Sequence, residues 1–407
     1  MGSRFTGTGT AVPSRRSSAG RPSIRGDVTS LVPRLGLVAA HDGRSAALVE
    51  RMLQAGKLAL AGARAADGFA FTLTGTPEPS GWRVAPRGTS VRYGAIAALG
   101  LLRLPEPDQR TVLGGDTAQD LIGRLARHLD GGTARGTAAL VCWAAAEARH
   151  DALPHALARL GGLDLRPGPV DVVTAAWVVT ALATARPHAD VEQHLAAARA
   201  RLLGARGPRL YPHVTGGATA WYRSHVGSFA DQVYPVQALA RLHASGDDPA
   251  ALAGAESVAA IICRAQGNAG QWWWHYDART GGVIEGYPVY SVHQHAMAPM
   301  ALFDLAEAGG RPRVEQICRG LRWLARPAEA TEDLVLDQPP VIWRKVARRD
   351  PRKLVRGVRA GTTRLRAGTR LPVLDRLFRP GAVDHECRPY ELGWLLYTWL
   401  QARGDDQ

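Results

Sequence analysis

The chain has 407 residues, 46% of them hydrophobic, and a formal net charge of +14 at pH 7. This apolar content suffices for a large buried core and excludes a chain that is disordered throughout. Only three of the 50 basic residues are lysines, as a biased coding sequence would produce, so the charge alone is weak evidence for nucleic-acid binding.

The N-terminal residues 1–30 are rich in Ser, Gly and Arg and contain no apolar stretch of the signal-peptide type. They predict a disordered basic tail ahead of one catalytic domain over residues 31–407. No apolar run is long enough to span a bilayer, so we expect a cytoplasmic protein. The four cysteines form no CxxC pair and are predicted to be buried, reduced thiols.

Two kinds of helical segment alternate along the chain. One kind carries charge on a single face, as outer helices do. These segments are 44–57, 116–129, 151–160, 190–204, 249–265 and 312–325. The other kind is apolar around most of its circumference, which is typical of helices buried on all sides. These segments are 90–103, 136–149, 170–184, 229–243, 289–307 and 387–402. Six alternations predict an all-α fold, an (α/α)6 toroid of helical hairpins. A strand is predicted only at Phe69–Thr74, within a long loop over 58–89.

A long insertion, residues 326–386, precedes the last inner helix. Its part 344–379 contains 13 Arg and Lys against two acids, with apolar residues spaced loosely as in an amphipathic helix. Three interpretations stay open: a solvated excursion, peripheral contact with an anionic membrane, or contact with a polyanionic substrate. Specific nucleic-acid binding is not predicted, because the segment has one aromatic residue and no known binding module.

The inner helices of a hairpin ring run in the same direction, so their N-termini gather at one mouth of the ring. Polar and aromatic residues concentrate at these N-termini, whereas the C-terminal halves are mostly Ala, Leu and Val. Helix N-termini and arginines attract anions, and aromatic rings pack against sugar rings. We therefore expect an anionic small molecule or glycan as substrate. The predicted substrate-binding residues are Arg92, Tyr93, Asp171, Tyr222, Arg223, Asp231, Trp272, Trp274, His275, Asp277, Tyr287, Arg388 and Tyr390.

Candidate proton-transfer groups lie in residues 270–300 and at the start of the last inner helix. Histidines that titrate near neutrality, carboxylates and phenols perform this chemistry. The predicted catalytic residues are His293, His295, Tyr290, Glu285, Glu386 and Glu391. A hydrolase would pair Glu285 with Glu386 or Glu391.

A metal site would have to draw on the histidines of the same region. His275, Asp277, His293 and His295 match no tight ligand spacing. His293 and His295 would diverge on one helix and converge only if the helix began after them. Neither a metal nor a cofactor is predicted.

The inner segments YPVYSVHQHAMAPMAL and RPYELGWLLY, within this hairpin series, resemble the six-hairpin glycosidase-like superfamily. That group includes glycan hydrolases, polysaccharide lyases, N-acylglucosamine 2-epimerase-like enzymes and glucuronyl C5-epimerase domains. The resemblance implies that Tyr290, His293 and His295 carry protons beside Arg388, which would neutralise a sugar carboxylate. It implies an epimerase or lyase, or alternatively a hydrolase, acting on an acidic or phosphorylated glycan.

A second toroid family, the terpenoid cyclases and prenyltransferases, gives a weaker resemblance. Residues 266–276, QGNAGQWWWHY, are similar to its Gln, Gly and Trp repeats. Residues 170–177, VDVVTAAW, stand where its acidic DxDDTA motif would be, with valines replacing the three carboxylates. This resemblance implies cyclisation of a prenyl diphosphate by a non-standard acid. A non-enzymatic glycan- or membrane-binding scaffold is the third hypothesis.

Overall fold

The computed structural model describes residues 34–129, 132–164, 168–215, 221–350 and 353–401. The predicted tail, residues 1–30, lies outside this part of the chain. Sixteen α-helices occur in the described residues, and each of the twelve predicted helical segments overlaps one of them. The helices are α1 (Arg34–His41), α2 (Gly43–Gly62), α3 (Val91–Leu101), α4 (Glu106–Leu113), α5 (Ala118–Arg127), α6 (Arg135–Glu147), α7 (Leu153–Asp164), α8 (Val172–Ala185), α9 (Glu192–Gly204), α10 (Ala230–Gly246), α11 (Pro249–Arg264), α12 (Ala298–Glu307), α13 (Val314–Ala325), α14 (Leu354–Leu365), α15 (Pro372–Leu377) and α16 (Pro389–Trp399).

Six of these helices form a closed inner ring. They pack in the order α3, α6, α8, α10, α12 and α16, and α16 packs back against α3. Each inner helix follows an outer helix in the chain, and these outer helices are α2, α5, α7, α9, α11 and α13. The prediction of an (α/α)6 toroid is confirmed.

The ring closes where α3 and α16 cross at two glycines. A Cβ atom on Gly100 would lie 2.3 Å from the carbonyl oxygen of Gly393, so a side chain cannot be accommodated there. Elsewhere the inner helices rely on small residues. α6 and α8 are rich in alanine and bury nearly all of their residues, which lets each of them pack against neighbours on several sides.

The outer helices are amphipathic, as α5 illustrates. Thr117 caps its N-terminus, and the side chains of Thr117 and Asp120 each accept a bond from the other's backbone amide. Leu121, Ile122 and Leu125 are buried, while the arginines of the last turn lie toward the opposite side. The apolar stripe therefore faces the ring, as the sequence pattern predicted.

Short strands are more numerous than predicted. The segment expected to be a loop over 58–89 contains the end of α2 and four strands. The single strand predicted at Phe69–Thr74 is divided between the end of β2 and the start of β3, so that expectation is confirmed only in part. Many pairings join distant segments, such as Glu386 opposite Thr74, and local patterns do not reveal them. The strands are β1 (Arg64–Ala65), β2 (Gly68–Phe69), β3 (Thr72–Glu78), β4 (Gly81–Arg87), β5 (Val170–Asp171), β6 (Val214–Thr215), β7 (Val226–Ser228), β8 (His275–Asp277), β9 (Val283–Glu285), β10 (Val289–Tyr290), β11 (Val335–Asp337), β12 (Pro340–Ile342), β13 (Lys345–Arg348), β14 (Pro380–Asp384) and β15 (Glu386–Cys387).

The insertion, residues 326–386, folds onto the toroid. β13 pairs with β14 and also with β10, which leads into the fifth inner helix. Between β13 and β14 the chain forms α14 and α15, and α14 packs against β9 and the short helical turn Trp221–Arg223. The insertion therefore lies beside the N-terminal ends of the inner helices, so it is more than a solvated excursion.

Two further expectations concern membranes and cysteines. None of the helices in the described part of the chain combines the length and apolar character that crossing a membrane requires. All four cysteines are free thiols; three are buried and Cys263 is half-buried.

Candidate active site at the N-terminal mouth of the inner helices

Side chains from four inner helices meet at the N-terminal mouth of the ring. Arg388, which precedes α16, donates from Nη1 to the hydroxyl of Tyr93 on α3 over 3.0 Å. Arg92 donates from Nε to Thr137 Oγ1 on α6 over 3.4 Å, and its guanidinium lies 5.7 Å from the ring centroid of Trp177 on α8. The predicted polarity of the ring thus places these residues together.

Glu391 is the most perturbed carboxyl of the mouth. It lies in the first turn of α16, is 2% exposed, and one carboxylate oxygen is 3.3 Å from Nε of Arg344. Burial raises the pKa of Glu391 to about 7, although Arg344 opposes the shift. A carboxyl group that is half-protonated near neutral pH can both accept and donate a proton.

Two tyrosines flank this carboxyl and stay protonated. Burial raises the pKa of Tyr290 and of Tyr390 above the ordinary phenol value. Arg344 lies 5.0 Å and Lys345 5.6 Å from the ring centroid of Tyr290. Both phenols are therefore neutral hydrogen-bond donors next to a cationic surface.

A histidine that sequence reasoning missed contacts a buried carboxyl group at the start of α10. Nδ1 of His213 is 3.1 Å from each carboxylate oxygen of Asp231, and more than half of the His213 side chain is exposed. Asp231 is fully buried and also accepts bonds from the amide and hydroxyl of Ser228. The hydrogen bond with Asp231, and then its charge, raises the pKa of His213.

The backbone around His213 is held by two neighbouring strands. The His213 amide donates to Val226 in β7, and its carbonyl accepts from the Val172 amide at the start of α8. Asp171 caps α8 through the Thr174 amide and contributes to the raised pKa of His213. The sequence offered no motif for His213, because its role depends on these contacts between distant segments.

The three predicted histidines do not titrate near neutrality, which corrects the sequence-based expectation. Burial lowers the pKa of His293 and of His295 to about 3, and burial together with Arg223 and Arg356 lowers that of His275 well below its ordinary value. All three imidazoles are therefore neutral at physiological pH.

The predicted inner segment 289–307 begins with β10 and a π-helical turn, His293–Met297, that leads into α12. His293 and His295 lie in the same turn and diverge. The ring of His293 stacks 5.9 Å from that of Trp274, whereas the carbonyl of His295 accepts a bond from Trp399 of the last inner helix. Of these two histidines, His293 contacts the aromatic residues of the mouth, and His275 also does so, with its ring 5.2 Å from that of Trp274.

The insertion supplies arginines that the predicted site did not include. Besides Arg344, Arg356 of α14 is half-buried and lies 6.0 Å from the ring of Trp274. Burial lowers the pKa of Arg356, and its electrostatic neighbours include Tyr290 and Arg223. Together with Arg223 and Arg388, these side chains make the mouth cationic.

Glu285 lies in an ion-pair network that anchors the insertion. It is fully buried, with carboxylate oxygens 3.1 Å from Arg348 and 3.3 Å from Arg359, and it accepts the Tyr287 amide at 2.8 Å. Glu386 is held by Arg388 at 2.7 Å and lies nearer to the mouth.

The other predicted residues are distributed as follows. Asp277 pairs with Arg279, and Tyr287 donates to Glu329. Trp272 is fully buried in the core, and Tyr222 is exposed next to Arg223. In the described part of the chain, no group of three or more His, Cys, Asp and Glu residues is arranged to hold a metal ion.

Comparison with solved structures identifies unsaturated glucuronyl hydrolases with the same fold. One that is specific for heparin is 12% identical, with a TM-score of 0.52 over 86% of this chain and 95% of that chain. The enzymes from Bacillus sp. GL1 and Streptococcus agalactiae are 11% and 10% identical, with TM-scores of 0.50 and 0.51. Each alignment covers 88% of this chain, and 99% and 90% of those chains. This chain thus has the same (α/α)6 toroid fold as these solved structures. No protein-family model and no curated protein matches the sequence.

Proposed function

We propose that the protein is an enzyme that processes an acidic glycan by proton transfer at the mouth of the toroid, with Glu391 as the principal acid/base. The observation that carries this proposal is the buried Glu391 carboxyl, with a pKa of about 7, beside Arg344. The fold shared with unsaturated glucuronyl hydrolases supports a sugar as the substrate.

The surroundings of Glu391 suit a uronate residue. Removing the proton next to a sugar carboxylate places negative charge on that carboxylate, and cations fixed in a partly dehydrated site stabilise it. Arg344, Arg356 and Arg388 are the candidates for this role, and the neighbouring Trp274 offers a ring face for the sugar. Glu391 would accept the proton as a carboxylate.

The next proton transfer decides the reaction. In an epimerase, a protonated phenol such as Tyr290 or Tyr390 would return a proton to the opposite face of the same carbon. In a lyase, the phenol would protonate the departing glycosidic oxygen, and a carbon–carbon double bond would remain in the sugar. His213, oriented by Asp231 and with more than half of its side chain exposed, is a second candidate proton carrier.

A hydrolase is the second candidate reaction, because the solved structures with this fold include hydrolases that act on unsaturated glucuronyl groups. Such a substrate already contains the double bond conjugated with the carboxylate. Glu391 in its protonated form would then donate its proton to the double bond, and water would add to the resulting cation and return a proton to the Glu391 carboxylate. The hemiketal formed in this way would open, and the resulting hemiacetal would release the glycosidic alcohol. This direction of transfer also suits a carboxyl group with a pKa near 7.

One assay separates the three reactions. Uronate oligosaccharides, saturated and unsaturated, are incubated in D₂O while the ultraviolet absorbance of the conjugated double bond is recorded. A lyase makes the absorbance appear, a hydrolase of unsaturated uronides makes it disappear, and an epimerase incorporates deuterium without changing it. No change in absorbance and no deuterium in any substrate would contradict the proposal.

The matched variants are Glu391→Gln and Glu315→Gln. We expect Glu391→Gln to lower the rate at least about 100-fold, as loss of a positioned acid/base typically does. Glu315 lies on the outer helix α13, half exposed, and its loss should leave the rate unchanged. Equal rates for the two variants would remove Glu391 from the reaction.

We also propose that the outer face of the insertion contacts an anionic membrane surface. Leu354, Leu365, Val373 and Leu377 are 52–81% exposed on α14 and α15. Exposed arginines follow in the same segment, including Arg366, Arg376 and Arg379. Exposed apolar side chains next to arginines suit the interface of an anionic bilayer.

Sedimentation with phosphatidylserine vesicles tests this contact. We expect the wild-type protein to sediment and a Leu365→Ser/Leu377→Ser variant to remain in the supernatant. Vesicles of phosphatidylcholine alone serve as the charge control. Equal sedimentation of both proteins, or equal binding to both vesicle types, would contradict the contact.

A further inference from the structure

A second cavity lies outside the mouth, between residues 264–287 and the insertion. Its volume is about 760 Å³, within the range of small-molecule sites. One wall is formed by β9 and the residues that follow it, and the other by β13, α14, α15 and the α14–α15 connection. The cavity exists because the insertion folds back over residues 264–287.

The helix α14 separates this cavity from the mouth. Arg356 lies on the mouth side, over Trp274, whereas Arg359, about one turn later, lines the cavity. The buried Glu285 lies between the two regions and holds Arg348 and Arg359. The two sites therefore share a wall but use different arginines.

The cavity is cationic. Arg264 and Arg370 are exposed in its lining, and neither side chain forms an ion pair with a carboxylate of the described residues. Arg348 and Arg359 also line it and are largely buried, and both pair with Asp375 at 2.6–2.7 Å. Two arginines thus remain available for an anionic ligand.

The floor of the cavity is aromatic and carries amide groups. The half-buried indole of Trp273 passes between two glycines: a Cβ atom on Gly267 would lie 2.4 Å from it, and one on Gly286 would lie 2.6 Å from it. Oε1 of Gln266 and Oε1 of Gln271 are buried without a hydrogen-bond donor in the described part of the chain. Both glutamines line the cavity, so a turn of either side chain toward a ligand would let its unpaired amide oxygen accept a hydrogen bond from a sugar hydroxyl.

We propose that this cavity binds a sulfated or carboxylated disaccharide unit, as a second site on the other side of α14 from the mouth. It combines an indole for a sugar ring, amide acceptors for hydroxyls and two available arginines for acid groups. The choice of a saccharide as ligand rests on the proposed function. The site would hold a distant part of the same glycan chain whose reacting residue lies in the mouth.

Nuclear magnetic resonance of tryptophan side chains tests the proposal directly. Protein labelled at the indole nitrogens is titrated with a sulfated, uronate-containing disaccharide, and the Trp273 signal is assigned from a Trp273→Phe variant. The Glu391→Gln substitution is present throughout to prevent turnover. We expect the Trp273 signal to shift with the sulfated sugar, and to remain in place with the neutral disaccharide lactose.

Charge variants provide the control. Arg264→Gln/Arg370→Gln should weaken the binding detected at Trp273 about tenfold, because charged hydrogen bonds to the ligand are lost. Arg376→Gln/Arg379→Gln removes two exposed arginines that are not part of the cavity lining and should change the affinity less than twofold. An unmoved Trp273 signal, or equal weakening by both double variants, would overturn the proposal.

The proposed reaction at the mouth and the proposed second glycan site can be disproved independently of each other. Binding at Trp273 does not require turnover, so it can be observed even if the protein processes no uronate substrate. Conversely, turnover that persists while the Trp273 signal never responds would leave the mouth as the only glycan site and remove the second one.

Discussion

The two ends of the inner ring shift the pKa values of their buried carboxyl groups in opposite directions. At the C-terminal end, Arg241 is paired with Glu147 at 3.2 Å and with Asp304 at 2.8 Å, and the Tyr397 hydroxyl donates to Glu147 at 2.6 Å. Burial alone would raise the carboxyl pKa values. Arg103 and Arg241 nevertheless hold the pKa of Glu147 at about 2, and Arg241 and Arg34 hold that of Asp304 at about 2.

At the N-terminal mouth, Glu391 is as deeply buried as Asp304 but has a pKa of about 7. Its cation, Arg344, also lies 3.7 Å from Asp384 and 3.9 Å from Glu386 and is therefore shared. The same fold can keep a deeply buried carboxylate ionised, as it does for Asp304. The comparison supports the proposal that Glu391 transfers protons at the mouth, whereas the ion-paired carboxylates at the opposite end contribute to stability.

The largest effect is expected from a substitution that breaks the ion-pair network at the C-terminal end of the ring. Arg241→Ala leaves Glu147 and Asp304 with fewer cations in a buried site, which should lower the free energy of unfolding by about 3–5 kcal/mol. Urea unfolding at pH 7 measures it. As a control, Arg110→Ala removes an exposed pair with Glu106 and should cost less than about 1 kcal/mol. Similar losses for both variants would contradict a stabilising network.

The next largest effect is a pH dependence of the free energy of unfolding that has opposite signs for Glu147 and Glu391. The lowered pKa of Glu147 contributes stability at neutral pH that is lost as pH falls from about 4.5 toward 2. The raised pKa of Glu391 means that the folded protein binds a proton more tightly, so stability falls as pH rises from about 4.5 to 7. Each shift corresponds to roughly 3 kcal/mol at most.

Unfolding measured from pH 3 to pH 8 tests this contrast. Glu147→Gln should be less stable than wild type at pH 7 and approach it at pH 3. Glu391→Gln should match wild type at pH 4 and be equally or more stable at pH 8. If the stability of both variants relative to wild type changed in the same direction with pH, the two ends of the ring would not differ as described.

A smaller effect concerns His213. Replacing Asp231 by Asn keeps the hydrogen-bond geometry but removes the charge, so the pKa of His213 should fall from its raised value. A proton NMR titration of the His213 ring follows it, with His41, which pairs with Glu315 on the outer surface, as an internal reference. A midpoint that is unchanged by Asp231→Asn would show that Asp231 does not set the protonation of His213.

The toroid could be predicted from the sequence because the evidence for each hairpin is local. Each hairpin has an amphipathic and an apolar helix whose periodicity can be read within one window. The polarity of the mouth followed from the topology, and it correctly brought Arg92, Tyr93, Arg388 and Tyr390 toward one another. Most of the strands were missed, because pairs such as Glu386 with Thr74 depend on the closed ring.

The chemistry of individual residues was less predictable. The histidines of segment 270–300 suggested titration near neutrality, but their burial keeps them neutral. His213 and Arg356 have no motif, and only the folded chain brings them to the mouth. The C-terminal halves of the inner helices also looked apolar, because Glu147, Arg241 and Asp304 occur singly among alanines and leucines.

The pKa of Glu391 tests the central claim most directly. Glutamate labelled with ¹³C at the side-chain carboxyl is titrated by NMR, and the Glu391 signal is assigned from its disappearance in Glu391→Gln. We predict a midpoint of about 7 for Glu391, while the Glu147 signal stays in its ionised position down to about pH 3. A Glu391 midpoint near the ordinary value of 4.5 would contradict the assignment of this residue as the acid/base of the mouth.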